Sequence, residues 1–182
     1  MGTIELGPER GRLLIRTGRT GLGRRAGHDL TIEATRWSGT LTLPGDATSV
    51  AGATADGSSV EVRVPVDALD VREGAGGVLP LSDQDRTEIL GNLRKVLGAA
   101  EHPEITFEST GVRGTPAEFT VEGRLTVAGR TEPLELRARA EDGRVVGSAT
   151  VKQTRWGIKP YSAFFGALKL ADDIAVEFDL RL

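Results

Sequence analysis

Apolar and polar residues alternate with period two over much of this chain. In "VEVRVPVD", Val60, Val62, Val64 and Val66 fall on one face, and Glu61, Arg63, Pro65 and Asp67 on the other. The closing "DIAVEFDLRL" sets Ile174, Val176, Phe178, Leu180 and Leu182 against Asp173, Glu177, Asp179 and Arg181. "FTVEGRLTV" puts Phe119, Val121, Leu125 and Val127 on one side, and "LELRARAE" does the same with Leu134, Leu136, Ala138 and Ala140. Such alternation marks strands with one dry and one wet face, as antiparallel sheets have. It predicts eight or nine strands, near 12–17, 28–35, 37–43, 59–67, 104–110, 118–127, 132–141, 144–151 and 173–182. Asp142-Gly143 in "EDGR" is a two-residue hairpin signal, and "AGRT" at 128–131 reads as a second tight turn.

One segment changes period. "SDQDRTEILGNLRKVLG" places Ile89, Leu90, Leu93, Val96 and Leu97 on one helical stripe. Ser82 is a natural N-cap with Asp85 three residues on, and Gly98 stands where a left-handed cap belongs. The pattern predicts one helix over about 83–97, lying against an end or side of the sheet. Half-dry antiparallel strands must cover their dry faces, and either a sandwich or a closed barrel does so. No long repeat, low-complexity stretch or linker divides the 182 residues, so a single domain over 1–182 is expected.

Composition removes several chemistries. The chain has no cysteine, which excludes disulfides, thiolate catalysis and cysteine-ligated zinc. Lys+Arg number 23 against Asp+Glu 26, a balance that argues against bulk nucleic-acid binding. "MGTIELGPER" carries no basic stretch leading into an apolar run, and no apolar run reaches membrane-span length. A cytoplasmic protein with no integral membrane segment is the expectation.

Two histidines are the obvious candidates for chemistry. In a strand, His28 shares its face with Leu30, Ile32 and Ala34, while Asp29 points with Thr31 and Glu33 to the other side. The two therefore do not form a dyad. His28 reads as a hydrogen-bonded, half-buried ring or as a polar group lining a cavity, with acid–base catalysis as the further option. His102 precedes Pro103 and reads as a strand-entry residue. No histidine spacing suits a metal, so no metal or cofactor is expected. "GLGRRAG" matches a dinucleotide fingerprint in letters, but a strand follows it where that motif needs a helix. Arg16, Arg19, Arg24 and Arg25 crowd the same region, either as a solvated turn or as a cationic rim for an anionic headgroup. In "TRWGIKPYSAFFGALKL", Trp156, Tyr161, Phe164 and Phe165 supply half of the eight aromatics, as a covering loop or as a lid on an apolar pocket. Gly123, Ala138, Ala140, Gly147 and Ala149 are small inward positions. They leave room for a ligand in a barrel, or allow close packing in a sandwich.

"EHPEITFES" at 101–109 and "EGRLTVAGRTEPLEL" at 122–136 resemble the YceI-like family of polyisoprenoid-binding proteins. His102, Pro103, Ile105, Phe107 and Ser109 carry the first element. Gly123, Leu125, Thr126, Gly129, Thr131 and Pro133 carry the second. The Arg155-Trp156-Gly157-Ile158 stretch and the last strand also fit, and the N-terminal part is divergent. The resemblance implies an all-β, lipocalin-like barrel of eight antiparallel strands whose interior holds an isoprenoid or other lipid-like ligand. It implies no catalytic residues. On that basis His28 and Tyr161 are expected near the mouth with Arg24 and Arg25 as headgroup contacts. Leu30, Phe107, Phe119, Trp156, Phe164 and Phe165 are expected to touch the ligand. A hydrophobic small molecule is the expected partner, and a homodimer is compatible with the pattern. The competing readings are a small hydrolase or isomerase using His28, and an interaction protein with a filled interior.

Overall fold

The computed structural model describes residues 2–45, 57–163 and 168–182, with the side chains of Ala163 and Leu168 outside the description. Its elements in chain order are β1 (Gly2–Leu6), β2 (Gly11–Arg16), β3 (Arg19–Thr20), β4 (Asp29–Ala34), β5 (Ser38–Leu43), β6 (Ser59–Pro65) and β7 (Leu69–Ala75). Then come α1 (Asp83–Val96), β8 (Glu104–Thr115), β9 (Glu118–Val127), β10 (Arg130–Glu141), β11 (Arg144–Lys152), β12 (Ser162–Ala163), β13 (Leu168–Leu170) and β14 (Asp173–Arg181). Eleven strands form one strongly curled antiparallel sheet in the order β1-β5-β6-β8-β9-β10-β11-β14-β2-β4-β7. A small sheet, β12-β13-β3, stands beside it.

The count of eleven corrects the expected eight, and the reason is local. The chain running from β4 into β5 breaks at residues 35–37, and the chain running from β6 into β7 breaks at the 3-10 turn Val66–Ala68. The two breaks meet: Thr35 donates its backbone N–H and its hydroxyl to the Ala68 carbonyl, each at 2.8 Å. One long hairpin is thereby bent at a corner. Its β5/β6 half stays beside β8, and its β4/β7 half pairs with β2. Each bent strand is thus counted twice, and β1 adds an edge strand to β5. The two ends of the sheet are joined through this corner; no ladder links β1 to β7 among the described residues.

The tight turns follow their residues. Asp142-Gly143 and Ala128-Gly129 have φ of 49°, 73° and 50°, 74°, the doubly positive pair that matches strand twist in two-residue hairpins. A side chain on Gly129 would also meet the His102 ring at 2.5 Å, so His102 packs against this turn as a structural residue.

Helix α1 begins with the predicted capping box: Asp85 N–H donates to Ser82 Oγ at 3.1 Å, and Ser82 N–H donates to Asp85 Oδ2 at 2.8 Å. The donated N–H holds the Asp85 carboxyl below its usual range. Arg86 fastens the helix to β7 through the carbonyls of Val71 and Arg72.

On the wet face, Glu33 accepts from Arg12 at 2.9 Å and from Arg72 at 2.6 Å, bridging β2, β4 and β7. The Arg12 hydrogen bond is the main cause holding the Glu33 carboxyl below the usual carboxylate range. A depressed folded value means that this stabilisation is complete above the ordinary carboxylate range and is lost as pH falls through the depressed value. Glu33→Gln is therefore expected to lower stability at neutral pH and to flatten its fall in acid, as thermal melts across pH would show.

Candidate ligand-binding cavity

The dry faces of the curled sheet do not close on one another. They surround a cavity of about 850 Å³. Its wall is the alternation read from the sequence: Val60, Val62 and Val64 from β6, Leu134 and Leu136 from β10, Ile174, Val176 and Phe178 from β14. These side chains point inward yet are only half-buried, because an open lumen faces them where a filled core would place neighbours. The lining runs from His28, Leu79 and Tyr161 at one end to Leu43, Ser59, Pro116 and Leu182 at the other. Ile89, Leu93 and Val96 of α1 turn their stripe onto the same space. Apolar length and girth of this kind suit a hydrophobic ligand.

Two glycines have a different use from the one expected. A Cβ on Gly123 would stand 2.3 Å from the Phe107 ring, and one on Gly147 would stand 2.4 Å from the Phe178 ring. The absent side chains at these two glycines make room for the Phe107 and Phe178 rings. The open space is left by the aliphatic positions between them.

Polar lining groups gather towards the first end. His28 Nε2 lies 2.7 Å from the Leu79 carbonyl, an acceptor only, so that nitrogen carries the proton. The ring straps residues 77–79 to the start of β4, and Gly77 lies directly over it. Asp29 points the other way and pairs with Arg19 at 2.9 Å, so no His28–Asp29 dyad forms. Asp85 and Glu88 are the lining carboxylates, and Asp85 Oδ2 accepts from the Ser82 N–H and hydroxyl. Among the described residues no three His, Asp or Glu side chains assemble a metal site.

The structure brings His28, Leu30, Phe107, Phe119 and Tyr161 into one lining. Trp156, expected along the wall, sits behind it. It is 2% exposed on the 3-10 turn Gln153–Trp156, and its indole N–H donates to the Leu125 carbonyl at 2.8 Å. Arg24 and Arg25 are exposed on the turn Arg24–Ala26 and do not line the cavity. Arg19 takes that place, pinned by Asp29 and by the carbonyls of Arg24 and Gly27. Phe164 and Phe165 lie outside the described residues. Sequence reasoning omitted Phe178, the α1 stripe and Trp37 from the site. Parity in the last strand and the helical period were sufficient signals for the first two. Trp37 stands at the corner just before β5; its indole N–H is buried with no partner among the described residues.

A strongly curled antiparallel sheet around an apolar lumen defines the lipocalin-like class of β-barrel architecture. Within that class the chain belongs to the YceI-like family: the model of the YceI-like domain matches residues 19–182. The family binds hydrophobic ligands. No curated protein gives a significant match. Among solved structures, Burkholderia cenocepacia BcnA superposes with a TM-score of 0.61 at 13% identity, over 92% of this chain and 94% of that one. A Campylobacter jejuni YceI protein superposes with a TM-score of 0.53 at 14% identity, over 79% and 80%. A mutant of that protein was crystallised with a monobromobimane guest. At these identities the likeness establishes the fold. No helix among the described residues is long and apolar enough to cross a membrane.

Proposed function

We propose that this chain, acting as one unit, binds a single isoprenoid or other lipid-like chain inside the curled sheet and carries or stores it without chemical conversion. The observation that supports the reading is the 850 Å³ lumen with half-buried aliphatic walls. Binding then rests on burial. Each methylene moved from water is worth about 0.8 kcal/mol, and about a dozen carbons gross roughly 10 kcal/mol before the cost of association. Leu30, Phe107, Phe119 and Phe178 contact the chain, while His28 and Tyr161 stand at the mouth. His28 serves as a strap for its neighbouring loop and takes no part in turnover.

The test is displacement of an apolar fluorescent probe by linear and prenyl alcohols of increasing length. Affinity is expected to rise about fourfold per methylene until the lumen is full, and then to level. A series with no dependence on length would contradict the reading.

A further inference from the structure

Among the described residues, five large hydrophobic side chains are exposed: Leu22 at 101%, Val78 at 80%, Leu79 at 73%, Tyr161 at 46% and Val96 at 40%. Scattered singly, such residues need no explanation. Most of them border one cavity, with Val96 farther along it at the last residue of α1. Val78, Leu79, Tyr161 and Val96 all line the cavity, and Leu22 lies on the loop between two lining residues, Arg19 and Ala26. Resting on the lumen reading above, we propose that the mouth of the cavity is a docking surface for an anionic lipid bilayer. Leu22, Val78 and Leu79 are the inserting tips, and Arg24 and Arg25 are the headgroup contacts.

Three features favour this partner. First, the two apolar loops are held as one piece. The Arg19 guanidinium lies against Gly76, leaving no room for a Cβ there, and His28 binds the Leu79 carbonyl. The tips are therefore presented together, without the ordering cost that two independent loops would carry. Second, the charge beside them is free to act. Arg24 and Arg25 are exposed, and no side-chain hydrogen bond or ion pair engages either guanidinium among the described residues. Lys169 on the adjacent β13 is exposed as well. Asp29, the carboxylate closest in sequence, is neutralised by Arg19. Other carboxylates near this end lie on other elements: Asp83, Asp85 and Glu88 on α1, Glu73 on β7 opposite Thr31, and Asp172 after β13; the Leu22 loop itself carries only the positive side chains Arg24 and Arg25. Cationic side chains beside apolar tips are the combination that binds an anionic interface. Third, the apolar surface of the tips continues into the lumen. A long hydrocarbon can pass from bilayer to cavity without crossing water, which its hydration cost would otherwise forbid.

The experiment is flotation of the full chain with vesicles of phosphatidylcholine alone, and of phosphatidylcholine mixed with an equal share of phosphatidylglycerol. The chain is expected to float with the mixed vesicles, less with the neutral ones, and less in high salt. Leu22→Glu removes an exposed tip outside the lining. It is expected to cut partitioning by about tenfold or more, with thermal stability and probe affinity unchanged. Arg24→Gln combined with Arg25→Gln should lose about tenfold on the anionic vesicles and little on the neutral ones. A wild-type chain that floats with neither composition overturns the proposal. So does a Leu22→Glu variant that floats like wild type, or association of the mouths of two copies seen by sedimentation without lipid. Probe binding separates the two readings: with probe bound and no flotation the docking surface fails alone, and with no probe bound the lumen reading fails first.

Discussion

Replacing Trp156 by alanine is expected to lower the thermal midpoint by roughly 6–20 °C, the largest stability loss of any single substitution considered. The ring is 2% exposed, its N–H is satisfied by the Leu125 carbonyl at 2.8 Å, and it joins the turn after β11 to the last third of β9. Deleting a fully enclosed aromatic costs about 3–5 kcal/mol, and a chain of this size loses about 2–4 °C per kcal/mol. Trp156→Phe separates the two contributions. It keeps most of the packing, leaves a buried carbonyl without its donor, and should cost about 1–2 kcal/mol. Because the ring sits behind the wall, probe affinity in Trp156→Phe should match wild type. A large change in affinity there would put Trp156 back in contact with the ligand.

The largest effect on binding is expected from Val176→Trp. Val176 lies midway along β14, paired with Ile15 and Ala149, and projects half-buried into the lumen. An indole there occupies space that the ligand's chain would fill. Excluding about three methylenes costs about 2–3 kcal/mol, on the order of fifty-fold in affinity. Filling an apolar void leaves folding stability equal or higher, which distinguishes this variant from one that merely unfolds. The neighbouring residue provides the control. Glu177 points outward to Arg16 at 2.8 Å, so Glu177→Gln should leave affinity unchanged. The contrast between positions 176 and 177 is the alternation of the strand read as a binding experiment. Equal effects at both would contradict it.

That alternation is also the measure of what the chain discloses before folding. The inward parity of β6, β9 and β14 is legible residue by residue, and so are the capping box of α1 and the two hairpin turns. The strand breaks were not read. Residues 59–67 look like one strand in the alternation, yet β6 ends at Pro65 and the chain turns through Val66–Ala68. Proline, which cannot donate to a ladder, was the available signal. β1 and β7 escaped notice because five residues, or a short alternation running into Gly74, give too little pattern. In the site, parity failed wherever the backbone is not a strand. Trp156 rides a 3-10 turn, so counting by twos says nothing of where its ring goes, whereas Trp37 shares the parity of Leu41 and Leu43 in the strand read over 37–43 and lines the cavity with them. Gly123 and Gly147 failed for another reason. Both face inward as read, but which ring covers each is set by cross-strand neighbours, since Phe178 sits opposite Gly147. Arg19 is indistinguishable from its neighbouring arginines in the sequence because a contact with Asp29 ten residues away leaves no mark in local composition.

Native mass spectrometry of the full chain, titrated with a long prenyl alcohol, addresses the hollow interior most directly. A single adduct per chain that saturates and is lost in Val176→Trp is the predicted result. No adduct, or several adducts of equal strength that persist in that variant, would mean that hydrocarbon does not bind inside the sheet.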